Sequence, residues 1–145
     1  HLYNKPTYFC QTKYLDLTHI STKKNFNICS KTEILLVTAI ADNTELFNDL
    51  AKISKKVHTY SKPDHYRFTK TDIDEIIKTF NKIDTTDKII VTTEKDRVKL
   101  MNFIRFIGQY PFYVQKIALD FHENDNFEKN ILEHVRETSK NKELS

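Results

Sequence analysis

The sequence predicts an α/β fold, a parallel sheet of about four strands with flanking helices, preceded by an N-terminal β ribbon. From residue 31 onward, short apolar runs alternate with helix-like segments, and strands joined by helical crossovers form parallel sheets. The first thirty residues are rich in Tyr, Phe and Thr and show no helical period. With 145 residues, 39% of them hydrophobic, the chain can bury one core. We therefore expect a ribbon at residues 1–30 and an α/β domain at residues 31–145.

The ribbon is predicted from two segments that favour strands. Residues 7–17 alternate partly between apolar and polar side chains, and residues 25–29 are suited to be their antiparallel partner. The next segment, residues 34–38, is continuously apolar up to its final Thr, as in a strand that is buried on both faces.

Two helices and a weaker strand follow. Residues 43–54 carry apolar side chains at helical spacing, and residues 57–60 favour a strand that His58 weakens. Thr69 is suited to cap the next helix, with Asp72 completing a variant of the capping box. That helix has an apolar stripe formed by Ile73, Ile76, Ile77, Phe80 and Ile83, which has the 3.6-residue period of a core-facing helix.

The last part of the chain repeats the alternation. Residues 88–92 predict a third strand of the sheet, and residues 112–119 predict a fourth. Between them Thr93 is suited to cap a helix that Gly108 ends, in agreement with Pro111 shortly beyond. The apolar face of this helix is expected to be Val98, Met101, Ile104 and Ile107. A final helix is expected to begin near Asp125 and to carry Phe127, Ile131, Leu132 and Val135.

The low glycine content excludes several common sites. Gly108 is the only glycine, whereas a Walker A loop needs two and a dinucleotide fingerprint needs three. A nucleophile elbow of the form G-x-S-x-G is excluded for the same reason. Because the chain opens on His1 and its one methionine is Met101, we expect a domain of a longer protein.

Charge and metal-ligand patterns exclude further classes. The net charge is +3 with scattered lysines, which is too mild for a nucleic-acid interface. Cys10 and Cys29 form neither a disulfide framework nor a zinc set, and we expect reduced, buried thiols, although the two could face each other on neighbouring strands. The histidines lack metal-ligand spacing, so no metal site is predicted. No apolar run reaches the roughly 18 residues of a membrane span, and no signal peptide is recognisable.

Candidate chemistry lies at the carboxyl ends of the predicted strands, where open α/β sheets bind ligands. Three polar segments fall there, namely residues 38–43, 63–68 and 92–96. If the sheet is parallel, all three share one rim.

The second of these segments is the richest in chemistry. His65 can move protons near neutral pH, Asp64 could orient it or hold a cation, and Arg67 could meet a phosphate. The alternative is a surface loop in which Asp64 caps a turn and His65 is incidental. From residue types alone we favour this alternative.

The third segment also has two interpretations. Thr93 at the N-cap with Asp96 at the third helical position is a capping pair. The same helix start, with threonine hydroxyls and Lys95, could instead bind an anion. The capping interpretation is favoured on physical grounds.

The three segments together resemble one family, the tetraacyldisaccharide 4'-kinases. Residues 91–100 resemble its V-T-T-E-K-D-x-V-x-L signature, and residues 63–68 its P-D-H-H/Y-x-F segment. Residues 35–41 resemble the start of its L-L-V-T-G-I-A-N-P string. The order and spacing also agree, and the resemblance covers essentially the whole chain. This sequence departs from the family pattern at Ala39, Asp42 and Asn43, so we expect that loop to be structural.

The resemblance implies a function for the protein to which this domain belongs. The family transfers the γ-phosphate of ATP to the 4'-hydroxyl of tetraacyldisaccharide 1-phosphate and so makes lipid IVA in lipid A synthesis, at the cytoplasmic face of the Gram-negative inner membrane. This chain would be its C-terminal domain with the connecting ribbon, inactive alone, and its partner would be the N-terminal P-loop domain of the same chain. That domain would hold ATP and Mg²⁺ and make most of the membrane contact. We expect no nucleotide bound to the 145 residues alone and no nucleic-acid partner.

The resemblance also implies roles for individual residues. His65 matches the histidine thought to assist an aspartate of the N-terminal domain that activates the sugar hydroxyl. Asp64 is assigned with it as catalytic, and Thr93, Glu94 and Lys95 are assigned more loosely to the nucleotide.

Another class stays open: a freestanding α/β binding or interaction module without catalysis. The lack of a self-sufficient active site favours it. A further candidate, a small sugar enzyme, needs a donor site that the sequence does not show.

Overall fold

The computed structural model describes residues 8–121 and 124–142 of the chain. Predictions that concern residues 1–7, 122–123 and 143–145 lie outside the described residues. The strands are β1 (Cys10–His19), β2 (Asn25–Phe26), β3 (Glu33–Thr38), β4 (Lys56–Ser61), β5 (Lys88–Thr93) and β6 (Phe112–Phe121). The helices are α1 (Thr44–Ile53), α2 (Lys70–Asn81), α3 (Glu94–Leu100), α4 (Ile104–Ile107) and α5 (Asn124–Lys142), with a 3₁₀ turn at Met101–Phe103.

The strands form one six-stranded sheet in the order β2-β1-β6-β5-β3-β4. The pairs β3–β4, β3–β5 and β5–β6 are parallel, which confirms the predicted α/β fold with four parallel strands. The ribbon strands pair antiparallel, as predicted, with Leu17 opposite Phe26. The ribbon extends the same sheet, and β2 has two residues rather than the five predicted.

Helices cover both faces of the parallel strands. Alternate residues of a strand point to opposite faces, and those of β3 and β5 divide between two apolar clusters. One cluster packs against Leu46 and Leu50 of α1. The other packs against residues of α2, α3 and α4, including Ile73, Ile76 and Leu100. All six residues of β3 are buried, which explains the continuous apolar run in its sequence.

The strand order contains one reversal. The connection through α1 leads from β3 to β4 at the edge, whereas the one through α2 crosses back to β5 on the other side of β3. The carboxyl ends of β3 and β5 therefore form the topological switch point, the usual ligand crevice of an open α/β sheet.

The helix predicted after Thr93 differs from the expectation in two ways. Val98, expected in the core, is 71% exposed, while Leu100 is fully buried. The cap at Thr93 turns Asp96 and Leu100 inward, and Val98, two residues from each, points to the opposite side. The helix is also broken after Leu100 by the 3₁₀ turn, and a short helix, α4, follows it.

The chain divides into two compact units. One is residues 14–117, with most of the sheet and both apolar clusters. The other includes residues 8–13, 118–121 and 124–142 of the described chain. In it Phe127 of α5 stacks on Phe121 at 4.1 Å and contacts Tyr8 edge-on at 5.0 Å. Phe127 is thus partly covered, whereas Ile131, Leu132 and Val135 are about half exposed.

Both cysteines are exposed free thiols. The expectation of buried thiols was therefore wrong for Cys10 and Cys29. Cys10 begins β1, and Cys29 follows β2 by three residues. Neither cysteine belongs to the two apolar clusters.

Candidate functional site

Two of the three polar segments meet at the carboxyl ends of the parallel strands. Lys95, at the start of α3, forms an ion pair with Asp64, in the loop after β4, at 2.8 Å. In the sheet β3 lies between β4 and β5, so this ion pair spans the end of β3. The shared rim expected from the sequence is formed by this contact.

His65 is presented to solvent by an unusual backbone. Its φ is +61°, in the left-handed region that non-glycine residues seldom adopt. The loop turns at this point, since the Tyr66 N–H donates to the Pro63 carbonyl at 3.2 Å. The imidazole side chain is 84% exposed. It is therefore accessible to a group supplied from outside the chain.

Asp64 stabilises this turn and carries a negative charge beside the imidazole. Its Oδ1 accepts the His65 backbone N–H at 2.9 Å, and its Oδ2 lies 3.5 Å from His65 Nε2. The hydrogen bond from Lys95 and the one from the His65 backbone outweigh the opposing effect of burial and hold the pKa of Asp64 below its usual range. Asp64 is thus an anion at neutral pH, and its carboxylate lies beside the exposed imidazole.

Thr93 and Asp96 form the capping pair that the sequence predicts. The Thr93 hydroxyl accepts the Asp96 backbone N–H at 3.1 Å and donates to Asp96 Oδ2 at 3.0 Å. Asp96 also accepts the Ala39 N–H at 2.9 Å and pairs with Lys99 at 2.9 Å. Lys99 donates in turn to the Ala39 carbonyl at 3.1 Å. These contacts join the ends of β3 and β5 across the switch point.

The remaining candidates for nucleotide contact are also engaged within the chain. Glu94 accepts the Ile117 N–H at 3.3 Å, and Lys95 is paired with Asp64. Helix α3 has only seven residues. As placed, Thr93, Glu94 and Lys95 do not form a cradle for a triphosphate, and their assignment to a nucleotide stays a prediction. Thr92 Oγ1 is buried there without a hydrogen-bond partner.

The first segment is structural, with its polar groups bonded to each other. Asn43 Nδ2 donates to Thr38 Oγ1 at 2.7 Å and to Ser61 Oγ at 3.0 Å, tying the ends of β3 and β4. The Thr44 N–H donates to Asp42 Oδ1 at 2.8 Å, which fixes the entry to α1 by a local turn.

The structure adds a group of residues that the sequence analysis did not connect. Asp72, 4% exposed, accepts the hydroxyls of Tyr60 and Tyr66, each at 3.0 Å, and pairs with Lys62 at 2.9 Å. It also accepts the Thr69 N–H at 2.8 Å in the predicted capping box. We call Lys62, Tyr66, Thr69 and Asp72, with Tyr60, the Asp72 cluster. The capping box is visible in the sequence, but the other three partners follow only from the course of the chain between β4 and α2.

The ionisation states in this cluster follow from its hydrogen bonds. Burial opposes the charge of Asp72, but the donors from Thr69 and Lys62 outweigh it and hold the pKa of Asp72 well below its usual range. The hydrogen bond to Asp72 raises the pKa of Lys62 and of Tyr66. Burial, with the hydrogen bond to Glu75, raises the pKa of Tyr60. At neutral pH Asp72 is an anion that is bonded by the Lys62 ammonium group and by the hydroxyls of Thr69, Tyr60 and Tyr66.

Within residues 8–121 and 124–142, no three His, Cys, Asp or Glu side chains are clustered so as to hold a metal ion. Over the same residues no helix combines the length and the apolar character needed to cross a membrane.

Comparison with known proteins identifies relatives over most of the chain. Residues 3–136 match the family model LpxK, tetraacyldisaccharide-1-P 4'-kinase. The tetraacyldisaccharide 4'-kinase of Bacteroides thetaiotaomicron is 31% identical over 95% of this chain and 40% of its own length. That of Bacteroides fragilis is 29% identical over 89% of this chain and 35% of its own length.

A solved structure agrees in fold. LpxK from Aquifex aeolicus, crystallised in an "apo" form in complex with ATP, matches with a TM-score of 0.53 at 18% identity. The match covers 90% of this chain and 36% of the Aquifex chain. The chain thus spans well under half the length of these relatives. On the strength of the family match, this chain belongs to the LpxK family, the tetraacyldisaccharide-1-P 4'-kinases.

Proposed function

We propose that this chain is the C-terminal domain of a kinase that transfers the γ-phosphate of ATP to the 4'-hydroxyl of tetraacyldisaccharide 1-phosphate, giving lipid IVA. The family match over residues 3–136 supports the reaction class. This chain spans 35–40% of the length of these curated relatives. The rest of their length leaves room for a nucleotide-binding domain in the same protein. By analogy with the family, that protein works at the cytoplasmic face of the bacterial inner membrane, with the lipid A precursor as substrate.

The observation that carries the proposal is the exposed His65 on a loop that the Lys95–Asp64 ion pair fixes. A sugar hydroxyl is a poor nucleophile and must lose its proton as phosphorus is attacked. We assign His65 to this proton transfer, in support of a carboxylate of the N-terminal domain. Asp64 holds the turn through the His65 backbone N–H and places its Oδ2 3.5 Å from the imidazole Nε2.

ATP and Mg²⁺ are assigned to the N-terminal P-loop domain. When bound there, the metal and the P-loop neutralise the phosphate charge that develops during transfer. The polar side chains at the start of α3 are instead paired within the described part of this chain. Their contribution is to hold the rim on which His65 is presented.

The test uses the full-length protein and phosphate transfer from radiolabelled ATP to tetraacyldisaccharide 1-phosphate. We expect transfer by the parent protein and a loss of at least 100-fold in kcat for His65→Ala, in the range of general acid–base catalysis. The matched control is His134→Ala, at an exposed histidine of α5, which should keep kcat within twofold. A folded parent protein without transfer would refute the kinase and favour the binding module. Equal activity of both variants would keep the kinase and remove His65 from its chemistry.

A further inference from the structure

The loop that carries His65 is held on both sides by a single carboxylate. Lys62, three residues before His65, pairs with Asp72 Oδ1 at 2.9 Å. Tyr66, the residue after His65, donates its hydroxyl to Asp72 Oδ2 at 3.0 Å. Asp72 is itself buried in the first turn of α2. We call residues 63–65 the tip of the loop. Lys62 and Tyr66, the residues on either side of the tip, are therefore both bonded to one carboxylate in the first turn of α2.

Between these anchors the backbone is forced into an unfavourable conformation. His65 has φ +61°, and such a residue persists only where the surrounding structure determines it. Asp64 bonds the His65 N–H, and the Tyr66 N–H closes the turn on Pro63. These local bonds set the shape of the tip, but they do not fix it to the fold. Attachment to the fold comes from the Asp72 bonds, from the Lys95 ion pair and from the Lys62 N–H, which donates to the Thr38 carbonyl at 2.9 Å. The Tyr66 ring also packs against the apolar cluster that contains Ile73.

Capping alone does not account for the partners of Asp72. A capping box needs only the threonine at the N-cap and the acid three residues later, and Thr69 supplies that bond at 2.8 Å. Lys62, Tyr60 and Tyr66 are additional donors to the same carboxylate. Lys62 also lies over the rings of both tyrosines, 5.1 Å from each centroid. The additional donors all come from β4 and the loop that presents His65.

We infer that Asp72 and Tyr66 are positioning residues for His65. They hold the loop at residues 62–66 so that His65 keeps its left-handed backbone conformation. The inference rests on the proposed function. It assigns to the Tyr66 hydroxyl a role in turnover although that hydroxyl bonds a buried carboxylate and not the substrate.

The chain provides a matched pair of variants. Tyr66→Phe removes a hydroxyl that donates to Asp72 at 3.0 Å. Tyr60→Phe removes a hydroxyl that lies 3.0 Å from Asp72 Oδ1 and 2.8 Å from Glu75 Oε2, and that shares its one proton between them. Tyr60 lies on β4, outside the loop, so its loss should affect the cluster but not the tip. In the full-length protein we expect Tyr66→Phe to lower kcat at least tenfold with KM for ATP within twofold. We expect Tyr60→Phe to keep kcat within twofold.

A double-variant test distinguishes positioning from general damage. If Tyr66 acts through His65, then adding Tyr66→Phe to His65→Ala should lower the residual kcat by less than twofold. A further tenfold loss in that background would overturn the inference. So would equal kcat losses in Tyr66→Phe and Tyr60→Phe, because both would then report only damage to the cluster.

A second readout does not depend on activity. With ¹⁵N-histidine labelling of the full-length protein, the His65 amide signal is identified by its loss in His65→Ala. Because the His65 N–H is bonded to Asp64, Tyr66→Phe should speed its hydrogen exchange at least tenfold, and Tyr60→Phe should not. If the parent protein transfers no phosphate, the proposed function fails, and this exchange rate alone decides whether Tyr66 fixes the loop. Unchanged exchange in Tyr66→Phe would overturn the inference.

Discussion

Replacement of Asp96 by alanine should destabilise the fold strongly, although this residue belongs to the most family-specific segment of the sequence. Asp96 is fully buried. Its carboxylate accepts the Ala39 N–H, the Thr93 hydroxyl and the Lys99 ammonium group at 2.9–3.0 Å. The structure therefore gives Asp96 a role in joining β3 to α3 rather than in binding a ligand.

The size of the effect follows from the groups left without partners. Removing one member of a buried ion pair costs about 3–5 kcal/mol. The Lys99 side chain is 21% exposed, so water can solvate part of its charge. The cost should therefore lie near the lower end of this range. The buried Ala39 N–H loses its acceptor, at about 1–3 kcal/mol within that total. We expect Asp96→Ala to lower the free energy of unfolding by about 3 kcal/mol.

The assay is urea unfolding of the 145-residue chain, followed by circular dichroism. With an m value of about 1.5 kcal/mol per molar urea, the midpoint should fall by about 2 M. Asp74→Ala is the matched control, because its pair with Lys70 on α2 is exposed and should contribute less than about 1 kcal/mol. If Asp96→Ala left the midpoint within 0.5 M of wild type while the full-length variant lost phosphate transfer, the structural role would be refuted.

Two further predictions concern charged pairs. Hydrogen bonds from His58 and Lys55 lower the pKa of Glu33 from 4.5 to about 2. The stabilising charge of Glu33 is therefore fully present above about pH 4.5 and is lost as the pH falls towards 2. The urea midpoint should decline over this range, and less steeply in Glu33→Gln; parallel declines in the two proteins would refute the assignment. Lys95→Met in the full-length protein should lower kcat several-fold and leave KM for ATP within twofold, because the structure pairs Lys95 with Asp64; a tenfold rise in KM would instead support nucleotide contact by Lys95.

The elements that the sequence predicts best are those whose pattern is set by local rules. The strand β3 is buried on both faces, and its apolar run shows this directly. The start of α2 follows from Thr69 and Asp72, whose reciprocal bonds are present. The helix after Thr93 was predicted less well, because the apolar residues beyond Leu100 are too dense to select one face. In this helix the apolar Val98, which was expected to face the core, is exposed, while the charged Asp96 is buried.

The site was predictable as far as sheet topology determines it. Parallel strands bring their carboxyl ends to one edge, and this placed Asp64 and Lys95 within reach of each other. The Asp72 cluster was not predictable, because Lys62 and Tyr66 meet Asp72 only once the chain has turned from β4 into α2. A buried carboxylate with three added donors carries no periodic signal in a sequence.

The closing of the switch point decides which part of this domain can meet a substrate. A phosphate crevice there would need free backbone N–H groups at the end of β3, and close approach usually needs glycine. Here the Ala39 N–H donates to the Asp96 carboxylate, and the Ala39 carbonyl accepts from the Lys99 ammonium group. The side chains of Asp96 and Lys99 therefore fill the crevice at the end of β3. The accessible chemistry is therefore displaced by one strand, to the loop after β4, where His65 is exposed. A domain built in this way can present an imidazole to a neighbouring active site without binding the nucleotide itself, which is the division of roles that the proposed function requires.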